Sequence, residues 1–379
     1  MFIIIGIALF LFFFYAILIG YYYRAWKRIP APDFSVIKQN DIKISIIIPA
    51  RNEEQNISNC IQSLLQQTYS KDFFEIIIVD DHSTDDTWKI LKQFSSVEKN
   101  IIPLKLSDFI SPDIKAYKKF AIETAINHSN GDLIITTDAD CTFNNRWLET
   151  IASFHNSTKA KFIAAPVKIK ANNSFLSIFQ TLDFITLQGI TGASVYKHFH
   201  SMCNGANLAY EKKGFFDVNG FRGIDNIPSG DDMLLMHKIY TKYPEQVFFL
   251  KNKNAIVSTQ PETTWKKFFN QRIRWSSKAD KYDDNRIFWI LLFVYIINVL
   301  LIVLLLLSFL NITYLFLFLI LLVAKTIIEF PFVKSVSSFF DQQKLMIYFP
   351  FLQPFHILYT VIVGWLGKFG SYDWKGRRN

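Results

Sequence analysis

The sequence predicts an α/β domain with a mostly parallel sheet, flanked by transmembrane helices. Three observations support this class of fold. Residues 1–23 contain no Asp, Glu, Lys or Arg, and residues 287–324 form a second long stretch without charge. Between them, short segments that are apolar throughout alternate with amphipathic, helix-like segments. Apolar strands separated by helices are typical of a parallel sheet that is buried on both faces.

Composition and charge narrow the class of protein. The chain has 379 residues, a formal net charge of +9 and a mean hydropathy of +0.18. It is too apolar for an ordinary soluble enzyme and too charged in its middle for a protein that lies wholly in a membrane. No zinc-finger spacing or other nucleic-acid motif accompanies the basic charge, so we expect membrane lipids rather than nucleic acid as partners. The three cysteines, Cys60, Cys141 and Cys203, are widely spaced, which favours reduced cytoplasmic thiols.

The first element is an N-terminal transmembrane anchor over residues 1–23, which is long enough to cross a bilayer as a helix. It lacks the basic leader and the small-residue cleavage site of a signal peptide, so we expect it to be retained. Arg24, Lys27 and Arg28 follow directly. Positive charge beside a span is typical of the cytoplasmic side, which predicts that the next domain faces the cytoplasm.

The next domain, residues 30–284, carries the alternating pattern. Its predicted elements are strand 43–50, helix 53–67, strand 73–81, helix 84–94, strand 100–106, helix 116–129 and strand 131–140. Two of these strands end in acids, Asp80 and Asp81 in one and Asp138 and Asp140 in the other. In parallel sheets, ligands bind at the carboxyl ends of the strands. The acids therefore predict a binding site, whereas a solvated turn is the alternative.

Paired carboxylates at a ligand site indicate a metal ion that binds a diphosphate. A diphosphate is too anionic to lie beside acids unless a divalent cation separates them. Mg²⁺ and Mn²⁺ prefer oxygen ligands and take one or two carboxylates together with substrate phosphates. Such a metal offsets the charge that develops on a departing diphosphate. The sequence contains no glycine-rich phosphate-binding loop of the Walker type.

The C-terminal membrane region, residues 286–366, predicts two or three spans. Residues 287–324 suit a helical hairpin with its turn near Asn311, and the second helix continues to about residue 332. Pro350 and Pro354 interrupt a further apolar stretch, which is either a kinked span or a re-entrant segment. Lys325 and Glu329 share a helix face and can pair. Either Lys325 snorkels to the interface, or the pair lines the entry path of an acceptor. Residues 367–379 form a basic tail.

Six motifs carry a resemblance to a known family. In order they are IIIPARNEEQNI, VDDHSTDDT, TTDADC, CNGANLAY, SGDDMLLM and QRIRW. The same order is found in membrane-bound glycosyltransferase family 2 enzymes, including those similar to cellulose, hyaluronan and poly-N-acetylglucosamine synthases and to ceramide glucosyltransferase. The resemblance covers about residues 43–276. It implies a GT-A fold and an inverting, metal-dependent sugar transfer from a nucleotide-sugar.

On the donor side, the resemblance assigns roles to the acids at the strand ends. Asp81 resembles the residue that reads the base, usually uracil. Asp138 resembles the acid near the ribose and the metal, and Asp140 the direct metal ligand. The predicted nucleotide-sugar site is completed by Ala50, Asp80, Lys119, Gln271 and Trp275.

Two of these assignments have structural alternatives. Asp80 and Asp81 could instead cap a helix that begins near Thr84. Lys119 falls where the family places a lysine near the nucleotide, although a solvated helix-face lysine is equally compatible with the pattern.

On the acceptor side, Asp232 resembles the catalytic base that a single displacement requires. Asp231 precedes it where the family often has Glu, so its catalytic role is less directly implied. The alternative for both acids is that they cap the helix that follows. Gly205 and Asn207 resemble residues that shape the acceptor side, and a plain turn is the alternative.

The QRIRW segment lies on a predicted helix over residues 263–275. The resemblance places Arg274 against the diphosphate and Trp275 against an apolar sugar face, also on the acceptor side. The alternative is an interfacial helix with Trp265, Phe268 and Phe269 in lipid and Lys266, Lys267 and Arg272 at head groups.

The sequence thus predicts transfer of a sugar, from a UDP-sugar in the first instance, to a membrane-associated acceptor. Three or four spans are fewer than polymer channels usually use, which favours a lipid acceptor over a glycan exported by a processive polysaccharide synthase. A nucleotidyltransferase of the same fold would not need Asp232 and QRIRW together. A non-enzymatic transporter or scaffold is the third class, but it would predict polar residues in several spans. The oligomeric state is not predicted.

Overall fold

A computed structural model describes residues 2–34, 42–109, 114–199, 202–277, 285–370, 373–374 and 377–378. The strands are β1 Ile44–Ala50, β2 Phe74–Asp80, β3 Ile101–Lys105, β4 Leu133–Thr136, β5 Thr142–Phe143, β6 Phe162–Ala164, β7 Val167–Ile169, β8 Leu208–Glu211, β9 Val247–Phe249, β10 Val257–Thr259, β11 Asp373–Trp374 and β12 Arg377–Arg378. The helices are α1 Phe2–Arg28, α2 Ile57–Leu65, α3 Thr87–Val97, α4 Tyr117–His128, α5 Trp147–Thr158, α6 Phe175–Tyr196, α7 Lys212–Asp217, α8 Met233–Lys242, α9 Trp265–Ser276, α10 Asn285–Leu307, α11 Ile312–Phe339 and α12 Phe349–Phe369.

The chain divides into two compact units. One, which we call the sheet unit, comprises residues 29–170 and 194–260, and the other, the helical unit, comprises residues 1–28, 171–193 and 261–379. The sequence predicts one continuous domain over residues 30–284. Helices α6 and α9 pack within the helical unit, and the boundaries of the domain over residues 30–284 stay a prediction.

The sheet unit is built on a seven-stranded sheet with the order β3-β2-β1-β4-β8-β6-β9. Strands β3, β2, β1 and β4 are parallel neighbours, and β8 pairs antiparallel with β4 and β6. Ile46, Ile47 and Ile48 on β1 are fully buried, because consecutive side chains point to opposite faces and both faces are covered. The mostly parallel α/β sheet predicted from the sequence is confirmed. A smaller sheet has the order β5-β10-β7.

The register of the central strands brings the predicted acids to one edge. Ala50 at the end of β1 is paired with Asp80 at the end of β2, and Ile47 is paired with Thr136 at the end of β4. Residues that directly follow these strands therefore lie at the same carboxyl edge. Helix α3 begins only at Thr87, with Asp86 at its N-cap. The alternative in which Asp80 and Asp81 cap a helix near Thr84 is wrong.

The helical unit contains four helices that are long and apolar enough to cross a membrane, α1, α10, α11 and α12, within the residues that the structure describes. Helix α11 extends to Phe339, past the predicted end near residue 332, and carries Pro331 inside it. Helix α12 is continuous from Phe349 to Phe369, with Pro354 inside it. Pro350 lies in its first turn, where a missing N–H costs little. Part of the predicted basic tail forms the short antiparallel pair β11 and β12, and residues 371–372, 375–376 and 379 lie outside the described residues.

A polar cluster lies among the apolar helices of this unit. The Lys325 ammonium donates to Glu329 Oε1 at 2.6 Å and to Gln353 Oε1 at 2.9 Å. Gln353 Nε2 donates to Glu329 Oε2 at 2.6 Å, and the Tyr15 hydroxyl donates to Glu329 Oε1. The predicted pairing of Lys325 with Glu329 is confirmed. Lys325 is 0% exposed, so the snorkelling alternative is wrong.

Candidate active site

Asp80 and Asp81 lie at the end of β2, and neighbouring groups hold them firmly. The Asp81 N–H donates to the Ala50 carbonyl at 2.8 Å, which ties the ends of β1 and β2 together. Arg51 Nη1 donates to the Asp81 carbonyl at 2.9 Å, and His82 Nδ1 lies 2.9 Å from Asp81 Oδ1. His82 adopts the left-handed conformation with φ 57°, which turns its ring back toward Asp81. The buried Asp81 carboxylate is thereby oriented at the sheet edge.

Asp80 is also buried, and one of its oxygens is unsatisfied. Burial raises the pKa of Asp80, although hydrogen bonds from Ser83 oppose that effect. Its Oδ1 has no hydrogen-bond partner among the residues that the structure describes. Because a buried acceptor without a donor costs free energy, this atom is suited to receive a ligand N–H or O–H.

Asp138 and Asp140 follow β4. Hydrogen bonds from Thr137 and Thr259 hold this segment in place. The Thr137 N–H donates to the Ile47 carbonyl at 3.1 Å, and its hydroxyl donates to the Ala206 carbonyl at 2.8 Å. Thr259 at the end of β10 donates its hydroxyl to Asp140 Oδ2 at 2.9 Å. The Asp138 side chain is 39% exposed, so its carboxylate faces solvent.

Two buried thiols lie beneath these acids. Cys60 Sγ donates to the Asp138 carbonyl at 3.9 Å, and Cys141 Sγ donates to Asp140 Oδ1 at 3.6 Å. Burial raises the pKa of both thiols, and the charge of Asp140 raises it further. The thiols therefore stay protonated and act as weak donors to the acidic segment, in agreement with the prediction of reduced cysteines.

Lys118 joins the two acidic motifs, and no sequence motif marks it as a site residue. Its ammonium lies 2.9 Å from Asp138 Oδ1 and 3.1 Å from Asp231 Oδ2. Burial opposes the charge on Lys118, but Asp138 and Asp231 outweigh that effect and raise its pKa above the ordinary value. The side chain stays cationic and connects residues that are far apart in the sequence.

Lys119, which was predicted to lie near the nucleotide, has a different role. It is 1% exposed, and its ammonium donates to the carbonyls of Ile224, Ile227 and Ser229 at 2.6, 2.8 and 2.9 Å. An ammonium has three N–H donors, and these contacts use all of them. The prediction of a nucleotide contact and the solvated alternative are therefore both wrong. Lys119 instead fixes the loop that precedes Asp231.

Asp232 is the N-cap residue of helix α8, and its side chain also contacts the loop before β8. Its Oδ1 accepts from the Met233 N–H at 2.8 Å, so the capping alternative is confirmed. Its Oδ2 accepts from the Gly205 N–H at 3.2 Å. A Cβ on Gly205 would lie 3.2 Å from Asp231 Oδ2 and 3.3 Å from Lys118 Nζ, closer than most side-chain contacts. The structure therefore brings Gly205, Asp231 and Asp232 together, and a side chain at position 205 would have to displace the ends of Asp231 and Lys118 by a few tenths of an ångström.

Asn207 lies in the core of the sheet unit. The side chain is fully buried, its Nδ2 donates to the carbonyls of Pro166 and Ala255 at 2.7 and 2.8 Å, and its Oδ1 accepts from Trp147 Nε1 at 3.1 Å. It crosslinks three segments of the sheet unit. Its amide holds the core under the loop that carries Gly205, and its part in shaping the acceptor side stays a prediction.

The QRIRW residues lie on α9 in the helical unit. Thr264 caps this helix by accepting from the Lys267 N–H at 3.3 Å. Gln271 Nε2 donates to Glu262 Oε1 at 3.0 Å, and the Trp275 ring lies 6.0 Å from that of Phe184. Phe268 and Arg272 are buried within the protein, so the interfacial alternative is wrong for those two positions. The roles of Gln271, Arg274 and Trp275 stay predictions.

A polar cavity of about 290 Å³ lies beside Asp140 in the sheet unit. One helix face of α2 and the segments around β5, β7 and β10 enclose it. Its lining consists of Asn56, Asn59, Gln62, Ser63, Gln66, Asp140, Thr142, Lys170 and Gln260. Amides and hydroxyls predominate, and such groups both donate and accept hydrogen bonds. The cavity is therefore suited to a ligand that is rich in hydroxyls.

The donor set fits a hard divalent cation that shares its coordination with a ligand. Within the described residues, no group of three or more His, Cys, Asp or Glu side chains could hold a metal by itself. Mg²⁺ and Mn²⁺ do not require such a group, because one or two carboxylates and substrate phosphates suffice. Asp138 and Asp140 provide carboxylates of this kind at the end of one strand.

The fold and these groups define the class of protein. A mostly parallel sheet with acidic motifs at its carboxyl edge, in a chain with apolar helices at both ends, is that of a GT-A glycosyltransferase. The family model named Glycosyl transferase family 2 matches residues 45–215, and that named Glycosyl transferase family group 2 matches residues 133–365, more than half of the chain. The chain belongs to glycosyltransferase family 2, as the motifs indicated.

Individual relatives agree with this membership. Probable glycosyltransferase YdaM of Bacillus subtilis is 28% identical over 237 residues, which are 62% of this chain and 54% of the relative. A dolichyl N-acetyl-alpha-D-glucosaminyl phosphate 3-beta-D-2,3-diacetamido-2,3-dideoxy-beta-D-glucuronosyltransferase of Methanococcus voltae is 36% identical over 92 residues, 24% of this chain and 27% of the relative. The match thus spans about half of the first relative and about a quarter of the second.

A solved structure shares the fold over nearly the whole chain. It is the mannosyltransferase PcManGT from Pyrobaculum calidifontis in complex with GDP-Man and Mn²⁺. It aligns with a TM-score of 0.58 and 16% identity, covering 93% of this chain and 99% of that one. Likeness at this identity establishes the common fold.

Proposed function

We propose that this protein transfers a sugar from a UDP-sugar to a lipid acceptor at the membrane surface, by an inverting reaction that depends on Mg²⁺ or Mn²⁺. The contact that carries the proposal is made by Lys118. Its ammonium lies 2.9 Å from Asp138, on the donor side, and 3.1 Å from Asp231, next to the expected base. Asp138, proposed for the donor side, and Asp231, beside the proposed base, therefore both lie against the ammonium of Lys118.

On the donor side, Asp81 would accept from the base of the nucleotide. Arg51 and His82 hold its carboxylate in place, so binding would not have to order it. Asp80 would use its unsatisfied Oδ1 for a further donor on the nucleoside. Asp138 and Asp140 would hold the metal, which when bound neutralises charge on the departing diphosphate. A protein of this fold was solved with GDP-Man and Mn²⁺, which is consistent with such a site.

On the acceptor side, Asp232 would act as the general base. As the acceptor oxygen bonds to the anomeric carbon, the bond from that carbon to the diphosphate breaks, and the diphosphate keeps the electron pair. The acceptor proton passes to a carboxylate oxygen of Asp232. Asp232 Oδ1 accepts from the Met233 N–H at 2.8 Å and Oδ2 accepts from the Gly205 N–H at the longer distance of 3.2 Å, so Oδ2 is the oxygen that we assign to the proton. One displacement inverts the anomeric centre.

Lys118 would stabilise the same reaction electrostatically. Its ammonium already lies between the carboxylates of Asp138 and Asp231, so it would not have to move during the reaction. It lowers their mutual repulsion and keeps Asp231 and Asp138 at a set separation. On α9, we retain the roles that the motif implies, with Arg274 at the diphosphate and Trp275 at the sugar.

Three observations support a lipid acceptor at the cytoplasmic side of a membrane. Four helices that are long and apolar enough to span a membrane support a substrate that is held at a bilayer. The relative from Methanococcus voltae has a dolichyl-linked phosphate in its name, which supports a lipid-linked acceptor. Arg24, Lys27 and Arg28 at the C-terminal end of the first helix support a cytoplasmic sheet unit.

A nucleotide-sugar screen with detergent-purified protein tests the proposal. Each donor is supplied with Mn²⁺ or with EDTA, and release of the nucleoside diphosphate is measured. We expect metal-dependent release from a UDP-sugar and a labelled product that partitions into organic solvent with the lipid. A labelled product of high molecular weight in the aqueous phase would instead support the polysaccharide synthase. Absence of release from every donor would contradict the proposed activity.

A further inference from the structure

The segment 271–275 contains a buried cation to which the QRIRW motif assigns no role. Arg272 is 2% exposed, although its neighbours on α9 include exposed lysines. Its Nε donates to Asp183 Oδ2 at 3.0 Å, and its Nη2 lies 2.9 Å from the same oxygen. Asp183 lies on α6 and is itself buried. His356 on α12 also faces this carboxylate, with Nε2 3.8 Å from Asp183 Oδ1.

The same guanidinium contacts two side chains of the motif. Arg272 Nη1 donates to Gln271 Oε1 at 3.0 Å. Its guanidinium carbon lies 4.2 Å from the centre of the Trp275 ring and 4.9 Å from that of Phe268. A cation over an aromatic face is attracted to it, most strongly for tryptophan. Arg272 therefore constrains Gln271 and Trp275 at once.

A second chain of contacts restrains the far end of Gln271. Its Nε2 donates to Glu262 Oε1 at 3.0 Å. The Glu262 backbone is bound in turn by Gln180 on α6, which accepts from its N–H and donates to its carbonyl, both at 3.0 Å. Helix α6 thus holds α9 through Asp183 on one side and through Gln180 on the other.

We propose that Arg272, anchored by Asp183, is a positioning residue for the sugar transfer. It fixes the ring of Trp275 and the amide of Gln271 and does not itself contact the nucleotide. The inference rests on the proposed function, because that function places Trp275 at the sugar. A planar guanidinium can form the ion pair, the amide hydrogen bond and the aromatic contact together, whereas a lysine ammonium cannot. Misplacement of a substrate-orienting group by about 1 Å can cost roughly a hundredfold in rate.

A double-mutant cycle on sugar transfer tests this role, with UDP binding measured in parallel. The variants are Arg272→Met, Trp275→Ala and the two combined, with Lys266→Met, an exposed lysine on the same helix, as the matched control. We expect Arg272→Met to lower kcat/KM for transfer about 10- to 100-fold and to leave the Kd for UDP within about twofold. In the Trp275→Ala background the same change should cost much less than in the wild type, because only the effect through Gln271 remains.

The results would distinguish failure of the positioning role of Arg272 from failure of the proposed sugar transfer. Losses that multiply in the double variant, or an equal loss of UDP affinity in Arg272→Met, would overturn the positioning role. An inactive wild-type protein would overturn the proposed function and the positioning role with it. If Arg272→Met does not fold, Arg272→Lys keeps a charge beside Asp183 and should fold. That variant should show an intermediate loss of transfer, and full activity in it would contradict the inference.

Discussion

Two lysine clusters in this protein have similar chemistry and different surroundings. In the sheet unit, Lys118 lies between Asp138 and Asp231, with its side chain 20% exposed and that of Asp138 39% exposed. In the helical unit, Lys325 is fully buried and donates to Glu329 and Gln353. Gln353 donates to the other carboxylate oxygen of Glu329, and Tyr15 donates to the oxygen that Lys325 also contacts. We call these the open cluster and the closed cluster.

The surroundings of a lysine–carboxylate pair determine whether it can bind a ligand. Every oxygen of Glu329 in the closed cluster has a donor from the protein, so the cluster can only hold helices α1, α11 and α12 in one arrangement. The open cluster leaves an acid facing solvent beside a fixed cation, and a metal or a substrate can join it. Buried pairs that are complete specify structure, whereas incomplete ones at a surface can bind ligands. We therefore expect changes in the open cluster to affect activity and changes in the closed cluster to affect stability.

The largest effect is expected at Asp140, next to the open cluster. Asp140→Asn removes one ligand charge but keeps the shape of the side chain, so the metal should no longer be held. Transfer should fall by about a thousandfold, since a metal contributes several kcal/mol to the stabilisation of transition-state charge. Steady-state kinetics over a range of Mn²⁺ concentrations measures this. Asp132→Asn, at the opposite end of the same strand, is the control, and near-normal transfer by Asp140→Asn would remove the metal role from that position.

The closed cluster should respond in stability. Lys325→Leu leaves the Glu329 charge buried without its partner, which typically costs about 3–5 kcal/mol. The double variant Lys325→Leu with Glu329→Leu should recover most of that loss, because a buried ion pair replaced by apolar groups is often neutral or stabilising. Thermal unfolding in detergent compares them. The acceptor KM should be unchanged in the double variant, and a selective rise in that KM would instead support the acceptor entry path.

Adjacent lysines on α4 sharpen the comparison further. Lys118→Met should lower transfer about 10- to 100-fold with little change in thermal stability, because the side chain stabilises charge in the site. Lys119→Met should cost about 1–3 kcal/mol of stability, because it leaves buried carbonyls without a donor. Activity per folded molecule should be retained in Lys119→Met. If the two variants showed the same pattern, the distinction between a functional and a structural lysine would fail.

The smallest effect is expected in the polar cavity beside Asp140. Gln62→Leu removes one amide from the lining, and a single neutral hydrogen bond is worth about 0.5–1.5 kcal/mol. If the cavity receives hydroxyls of a sugar substrate, the KM for that substrate should rise about two- to tenfold with kcat little changed. Gln55→Leu, which precedes α2 outside the cavity, is the control. Equal kinetics for both variants would exclude the cavity from substrate binding.

Much of the sheet could be predicted because buried parallel strands are apolar throughout and end in ligand-binding residues. That rule located Asp80, Asp81, Asp138 and Asp140 at the correct edge of the sheet. The start of α3 could not be predicted, because side chains form hydrogen bonds with the backbone N–H groups of the preceding loop and of the first helical residue. Asn52 Oδ1 accepts from the Thr84 N–H at 2.8 Å, and Asp85 Oδ1 accepts from the Thr87 N–H at 3.0 Å.

Other features depend on packing that no local pattern reports. Lys118 and Lys119 differ by one helix position, which turns their side chains about 100° apart, and only tertiary contacts decide which one meets Asp138. Asn207 stands beside a glycine in a turn-like motif, yet its amide satisfies carbonyls in the core. The residues over 171–193 look like part of the polar domain, although they pack with the apolar helices. These cases show why motif position predicted the place of the acids in the sheet better than it predicted the contacts of each side chain.

The most direct test of the account compares nucleotide binding with sugar transfer in Asp232→Asn. In the proposed site, Asp81, Asp138 and Asp140 hold the nucleotide and the metal, and Asp232 takes the acceptor proton. Calorimetric titration of UDP with Mn²⁺ should therefore give the wild-type Kd within about twofold, because the amide preserves the cap on Met233. Transfer by the same preparation should fall by about 100-fold or more, since a general base contributes about 10²–10⁴ to the rate. Loss of UDP binding in step with transfer, or transfer at the wild-type rate, would contradict the assignment.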